Sequence, residues 1–103
     1  MTNLSQNDWQ AAVDADENAL LIDVRTPAEC AEGMQENAQE MDIMNANAFM
    51  AMAENIDTSK NLYIYCRSGA RSAQACGYFD SKGFTTYNLL GGMMEWQGKV
   101  VTK

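Results

Sequence analysis

A cysteine and two arginines stand within six residues of one another near the middle of this chain of 103 residues. The segment reads Cys66-Arg67-Ser68-Gly69-Ala70-Arg71-Ser72. A cysteine attacks as the thiolate, and its reference pKa of about 8.5 falls to roughly 3.5–7.5 beside cations or at a helix N-terminus. A fall of about two units would leave Cys66 mostly ionised at neutral pH. The segment therefore predicts a nucleophilic thiolate held by positive charge.

The loop 66–72 also offers hydrogen-bond donors around the sulfur. A tight turn leaves backbone N–H groups pointing inward, and a helix N-terminus behind them completes an anion site. Arg71 falls in the first turn of that helix, where a cation opposes the helix dipole, so we expect it to face an anion or a carboxylate. The predicted catalytic residue is Cys66. The predicted substrate-binding residues are Arg67, Ser68, Gly69, Ala70, Arg71 and Ser72.

Alternating strands and helices must position this loop. Short apolar runs predict strands at 20–24, 61–65 and 84–90. Helical spacing predicts a first helix that starts at Ser5 and includes Trp9 and Val13, and further helices at 26–33, 45–55, 71–82 and around Trp96. This alternation favours a three-layer α/β/α fold with a mainly parallel central sheet. The functional crevice of such a sheet lies beyond the carboxyl ends of the strands. We expect Cys66 at one of those ends and Val24-Arg25 at another.

Local signals mark several helix ends. Ser5 predicts an N-cap, the segment 26–29 (Thr-Pro-Ala-Glu) has the form of a capping box, and Asn45 is a further N-cap. Gly83 is placed to end the helix that follows the loop. Residues 34–45 lack a clean period, so we expect an extended loop there with at most one short strand.

Charge is unevenly distributed along the chain. The formal net charge is −7, with one base and twelve acids in residues 1–59 and six bases and two acids in residues 60–103. The acidic half either forms solvated surface or offers a docking face for a basic partner. A chain without a basic stripe is a poor nucleic-acid binder. With no leader pattern and no apolar span, we expect a soluble, cytoplasmic monomer that forms one domain over residues 1–103 and binds no membrane.

Three cysteines without C-x-x-C spacing argue against both a disulfide framework and a zinc site. Cys30 and Cys76 are expected to be packing residues, and a disulfide that one of them forms with Cys66 is the alternative. Met41 and Met44 have the M-x-x-M spacing of copper(I) ligands, but core filling is the commoner role of methionine. We expect no metal and no cofactor.

At three places the chain resembles the single-domain rhodaneses, which are thiosulfate sulfurtransferases. The loop 66–72 matches the C-R-x-G-x-R-S pattern of that family at every fixed position. Residues 21–25 (Leu-Ile-Asp-Val-Arg) with Glu29 resemble its D-V-R…E signature, and residues 89–93 (Leu-Leu-Gly-Gly-Met) with Trp96 resemble its L-x-G-G…W element. These matches span residues 20 to 96.

The resemblance implies a two-step transfer. Cys66 would attack the outer sulfur of thiosulfate, expel sulfite and carry a persulfide cradled by the loop amides. A thiophilic acceptor, either cyanide or a thiol, would then remove that sulfur. This chemistry uses a lowered pKa in place of a general base, and the chain contains no histidine, which excludes a Cys-His nucleophile pair.

One segment departs from the family pattern. The family has G-H-I-x-G-A after its early signature, whereas residues 33–38 read Gly-Met-Gln-Glu-Asn-Ala. Met34 replaces the histidine and Asn37 replaces the second glycine, so the departure concerns the local backbone. Asp23, Arg25 and Glu29 are expected to form a structural ion-pair or capping network beside the pocket.

Three other functions compete with this interpretation. Cysteine-loop phosphatases and arsenate reductases resemble H-C-x5-R, with a wider cradle than the C-x4-R spacing found here. A binding module that has lost its chemistry is usually marked by a missing loop cysteine, and Cys66 is present. A persulfide relay that delivers sulfur to a protein acceptor stays open, because sequence does not separate it from transfer between small molecules.

Overall fold

Helices and strands alternate along most of the chain, of which the structure, a computed structural model, describes residues 1–102. The strands are β1 (Thr2–Leu4), β2 (Ala19–Asp23), β3 (Met34–Gln35), β4 (Gln39–Glu40), β5 (Asn61–Tyr65), β6 (Thr85–Leu89) and β7 (Val100–Val101). The helices are α1 (Gln6–Ala15), α2 (Pro27–Ala31), α3 (Ala46–Ala53) and α4 (Ala70–Ser81), with a 3-10 turn at Gly92–Met94. Within residues 1–102 no helix is long and apolar enough to cross a membrane.

Five parallel strands form the central sheet in the order β1-β6-β5-β2-β4. Asp23 at the end of β2 lies opposite Tyr65 at the end of β5, so the residues that follow these two strands emerge side by side. Strands β3 and β7 form a small antiparallel pair outside this sheet. The predicted α/β fold with a parallel central sheet is confirmed.

Side chains that alternate along the strands pack on opposite faces of the sheet, because successive residues of a strand point to opposite sides. On one face Leu21, Tyr63, Tyr65 and Leu89 pack around Trp9 of α1. On the other face residues of β2 and β5, including Ile22 and Ile64, meet Phe49 of α3 and Phe79 of α4. Both cores hold strand β5 rigidly where it enters the loop 66–72.

The predicted helix N-caps are confirmed. The Ser5 hydroxyl accepts a hydrogen bond from the Asp8 amide at 3.2 Å, and the Asn45 side chain accepts one from the Ala48 amide at 3.4 Å. Both reciprocal bonds of the capping box between Thr26 and Glu29 are present. At the other end of α4, Gly83 takes the left-handed conformation one position after the C-cap residue.

The structure differs from the sequence-based prediction at four places. Strands β1 and β7 were not predicted, and residues 34–45 contain two short strands where at most one was expected. The predicted final helix around Trp96 is wrong, because the 3-10 turn ends at Met94. These elements are short and depend on long-range pairing, so local sequence carries little signal for them.

Asn37 explains how the departing segment 33–38 keeps its turn. It has a φ of +68°, and it is the one non-glycine residue with positive φ among residues 1–102. Asparagine tolerates this left-handed region better than most residues. Asn37 therefore adopts a left-handed conformation that the glycine of the family pattern could also adopt at this position.

Candidate active site

Strand β5 and helix α4 together place the Cys66 sulfur. Cys66 follows the carboxyl end of β5, and α4 begins four residues later at Ala70. Gly69, with a φ of +109°, makes the turn that starts the helix, a conformation that favours glycine. The N-terminus of α4 therefore points its free amides back toward the sulfur.

Two hydrogen-bond donors lie directly against the sulfur. The Gly69 amide nitrogen is 3.1 Å from Cys66 Sγ, and the Ser72 hydroxyl oxygen is 3.4 Å from it. Burial of Cys66, which is 0% exposed, raises the pKa of this thiol. Hydrogen bonds from the Ser72 hydroxyl and from the amides of Ser72, Gly69 and Ser68 outweigh burial and lower the pKa below its ordinary value.

The two loop arginines have different surroundings. Arg71 Nη1 and Nη2 lie 2.7 Å and 2.8 Å from the two carboxylate oxygens of Glu29, so Arg71 faces the carboxylate that its position predicted. Arg67 is exposed. Arg71 does interact electrostatically with Cys66, but hydrogen bonds within the loop lower the pKa of Cys66 more than either arginine does.

Residues 91–94 hold the loop 66–72 in place through its carbonyl groups. The amides of Met93 and Met94 donate to the carbonyls of Cys66 and Arg67, each at 2.9 Å. A Cβ atom on Gly92 would lie 2.5 Å from both of those carbonyl oxygens. The close approach requires glycine, and it turns the loop carbonyls away from the sulfur so that the amides face it.

Asp23 and Arg25 form a buried pair beside the loop. Arg25 Nη2 lies 2.7 Å from Asp23 Oδ2 and 2.6 Å from the carbonyl oxygen of Gly33. Arg25 also lies over the Tyr65 ring, with its guanidinium carbon 5.8 Å from the ring centroid. The predicted structural network is confirmed, and it consists of two separate parts. Asp23 pairs with Arg25, whereas Glu29 binds Thr26 in the capping box and pairs with Arg71.

An open cleft of about 500 Å³ lies beside the loop. Its walls are formed by Arg25, Glu29, Glu32, Arg67, Met93 and Met94. Arg25 and the neighbouring Arg71 each bind a carboxylate. Within residues 1–102 no carboxylate lies within ion-pair distance of Arg67, so its charge is free for an anion that enters the cleft.

Sequence reasoning missed Asn88. This side chain, 4% exposed, accepts a hydrogen bond from Ser72 through Oδ1 at 2.5 Å. Its Nδ2 donates to Asn3 Oδ1 at 3.0 Å and to the Gly69 carbonyl at 3.4 Å. The signal that could have found it is an amide inside the predicted strand 84–90, because a polar side chain in a buried strand needs partners.

The other two cysteines have the opposite environment from Cys66. Burial raises the pKa of Cys30 to about 12 and that of Cys76 to about 11. Cys30, Cys66 and Cys76 are all free thiols. Both additional cysteines lie in packed surroundings, in agreement with their predicted packing role. Met41 is fully buried while Met44 is 71% exposed, so the M-x-x-M pair does not share one environment.

Comparison with known proteins places this geometry in a family. Residues 5–99 match the model of the rhodanese-like domain. The chain is 42% identical over 91 residues to the protein YtwF of Bacillus subtilis (strain 168), an alignment that covers 88% of this chain and 85% of that protein. It is 41% identical over 81 residues to a protein named sulfurtransferase from Allochromatium vinosum, covering 78% of this chain and 73% of the relative.

Solved structures share the fold. A rhodanese-like domain protein from Staphylococcus aureus superposes with a TM-score of 0.86 at 24% identity, covering 100% of this chain and 99% of the other. The family match over residues 5–99 includes strands β2 to β6, the loop 66–72 and the 3-10 turn. The chain belongs to the rhodanese-like sulfurtransferase family.

Proposed function

We propose that this protein transfers a sulfane sulfur from thiosulfate to a thiophilic acceptor through a persulfide on Cys66. The observation that carries the proposal is that the Gly69 amide and the Ser72 hydroxyl both lie within hydrogen-bond range of Cys66 Sγ. They stabilise the thiolate and leave the sulfur as the reacting atom of the site. Cys66 is the catalytic residue, and the loop Arg67, Ser68, Gly69, Ala70, Arg71 and Ser72 binds the donor through its backbone amides and the Arg67 side chain.

The first step exchanges one S–S bond for another. The Cys66 thiolate attacks the outer sulfur of thiosulfate, a Cys66 S–S bond forms, and the S–S bond of thiosulfate breaks with its electron pair leaving on sulfite. The charge lost by the thiolate leaves with sulfite, the outer sulfur keeps the negative charge that it carried in thiosulfate, and Cys66 Sγ becomes neutral. Arg67 binds the entering dianion, since it is the cleft cation that no carboxylate neutralises within residues 1–102.

The second step returns the enzyme to its first state. Cyanide or a thiolate attacks the outer sulfur, which leaves Cys66 as thiolate and yields thiocyanate or a new persulfide. No proton has to be removed from the nucleophile at either step when it is already ionised, which accounts for a site without a general base.

A small-molecule sulfurtransferase is favoured over a phosphatase by the state of Arg71. A phosphate cradle needs a guanidinium group that is free to hold the equatorial oxygens of the transferred group. Both terminal nitrogens of Arg71 donate to Glu29.

We further propose that the protein acts as a monomer in the cytoplasm and binds neither nucleic acid nor membrane. The sulfur acceptor can be a small thiophile or the thiol of a partner protein.

The deciding experiment is an intact-mass measurement on the reduced protein after it is mixed with thiosulfate. We expect a gain of one sulfur atom on Cys66, which cyanide then removes as thiocyanate. Cys66→Ser should show no gain, whereas Cys30→Ser should gain sulfur as the wild type does. An unchanged wild-type mass, with the protein folded and reduced, would overturn thiosulfate as donor. Phosphoester hydrolysis that survives in Cys66→Ser would point to a different activity.

A further inference from the structure

Asn88 is in contact with the catalytic loop without contacting the sulfur. It is the fourth residue of β6 and lies beside Asn3 in β1 and Ile64 in β5, with 4% of its surface exposed. Buried amides in parallel strands are costly unless every polar atom has a partner. The partners of this one belong to the loop 66–72 and to β1.

The partners of Asn88 determine which way its amide points. The Gly69 carbonyl can only accept, so the amide nitrogen must face it, at 3.4 Å. The amide oxygen consequently faces Ser72 Oγ at 2.5 Å. Asn88 is therefore an acceptor toward Ser72.

Ser72 then faces two acceptors with one proton. Its hydroxyl oxygen is 2.5 Å from Asn88 Oδ1 and 3.4 Å from Cys66 Sγ, and a hydroxyl donates one hydrogen bond while accepting up to two. When Cys66 is a thiolate, the charged acceptor attracts the proton more strongly. When Cys66 is a thiol, the sulfur donates to Ser72 and Ser72 donates to Asn88.

We propose that Asn88 is a positioning residue that accepts a hydrogen bond from the Ser72 hydroxyl whenever Cys66 Sγ carries no negative charge. This inference rests on the proposed function at one point. In the persulfide the negative charge lies on the outer sulfur and Sγ is neutral, so the Ser72 hydroxyl turns to Asn88. When the acceptor removes the outer sulfur, the hydroxyl turns back to the regenerated thiolate.

The proposal predicts effects of opposite sign for two neighbouring side chains. Ser72→Ala removes a donor to the thiolate and raises the pKa of Cys66. Asn88→Leu removes an acceptor that serves the thiol form, so it lowers the pKa of Cys66 by about 0.5 to 1, a three- to tenfold change in the ratio of thiolate to thiol. A disturbance of packing alone would loosen the same donors in both variants and would raise the pKa in both.

The experiment measures the rate of Cys66 alkylation by iodoacetamide against pH, with the modified residue identified by peptide mass. In the double variant Ser72→Ala/Asn88→Leu the pKa of Cys66 should equal that of Ser72→Ala, because Asn88 acts through Ser72. Thr86→Val is the matched control: Thr86 is a buried residue of the same strand whose hydroxyl binds Asp80 at 2.6 Å, and its loss should leave the profile unchanged. If Asn88→Leu does not fold, Asn88→Ala tests the same predicted decrease in the pKa of Cys66.

A pKa that rises or stays the same in a folded Asn88 variant would overturn the proposal. So would an effect of Asn88→Leu that persists without the Ser72 hydroxyl. The charged and titratable groups that act on Cys66 from neighbouring elements are Arg71 with its partner Glu29, and Cys76, and the variants leave all three in place. Alkylation needs no sulfur donor, so its outcome is independent of whether thiosulfate loads Cys66.

Discussion

Glu29 and Arg71 are joined by two parallel hydrogen bonds of 2.7 Å and 2.8 Å, although 42 residues separate them in the chain. Glu29 also closes the capping box of α2 through Thr26. One carboxylate therefore connects the first turn of α2 with the first turn of α4, the helix in which the loop 66–72 ends. The pair is about one quarter exposed, so its contribution to stability is moderate.

Glu29→Gln should lower the free energy of unfolding by about 1 kcal/mol, because a two-point ion pair and a cap contact are both weakened. Urea denaturation followed by tryptophan fluorescence measures the change. Glu36→Gln is the control, since Glu36 pairs with Lys99 at 3.1 Å but both side chains are more than half exposed. Equal losses in the two variants would show that the Glu29 pair has no special role.

The same pair predicts a dependence of stability on pH. Hydrogen bonding by Arg71, opposed by burial, lowers the pKa of Glu29 from 4.5 to about 2. A carboxyl with a lowered pKa in the folded state stabilises the protein fully above its unfolded value and loses that contribution as the pH falls toward the folded value. The stability difference between the wild type and Glu29→Gln should therefore be present at pH 7 and shrink between pH 4.5 and 2. A difference that stays constant over that range would contradict the assignment.

Gly92→Ala should displace the loop 66–72. The added Cβ would meet the carbonyl oxygens of Cys66 and Arg67 at 2.5 Å, at a φ of +54°. We expect a loss of at least about 2 kcal/mol of stability together with a large loss of sulfur transfer. Gly77→Ala is the matched control. Gly77 lies inside α4, and apart from its chain neighbours and the backbone of the helix itself no atom comes within 4 Å of the added group, so alanine there should stabilise by about 0.5–1 kcal/mol.

Arg67→Gln should weaken donor binding more than chemistry. Loss of a charge-assisted hydrogen bond of about 1.4 kcal/mol corresponds to a roughly tenfold rise in the KM for thiosulfate, with a smaller change in kcat. Steady-state thiocyanate production at two ionic strengths measures both parameters. Lys82→Gln, a cation removed at the far end of α4, should change neither. An unchanged KM in Arg67→Gln would assign donor binding to the loop amides alone.

Iodoacetamide at pH 8 should label Cys66 and leave Cys30 and Cys76 unlabelled. Burial raises the pKa of the latter two to about 12 and about 11, whereas hydrogen bonds lower that of Cys66 despite its burial. Peptide mass mapping of the folded protein checks this. Cys66→Ser should take up no label when folded and two labels in urea. Rapid labelling of Cys76 in the folded state would reopen its role as a resolving thiol.

Local features of the chain were predictable because their contacts are local. The bonds of Ser5, Thr26 and Asn45 each join residues three positions apart, so the residue types alone indicate them. Strand β5 was predicted with its observed bounds because it is a continuous apolar run buried on both faces. Strands β1, β3 and β4 were harder, since each is two or three residues long and exists only because a distant strand pairs with it.

The sequence by itself determined the spacing of the loop 66–72 and the alternation of strands and helices that positions it, and it predicted Cys66 as the nucleophile. Only the tertiary structure decided what surrounds the sulfur. Arg71 is neutralised by Glu29 from 42 positions away, and Ser72 is held by Asn88 from 16 positions away. No periodicity or motif specifies such pairs, because they depend on which side chains the folded sheet brings within hydrogen-bond range. For that reason the sequence predicted both positive charge and loop amides around the sulfur of Cys66, but it did not show that the hydrogen bonds lower the pKa of Cys66 more than the arginines do.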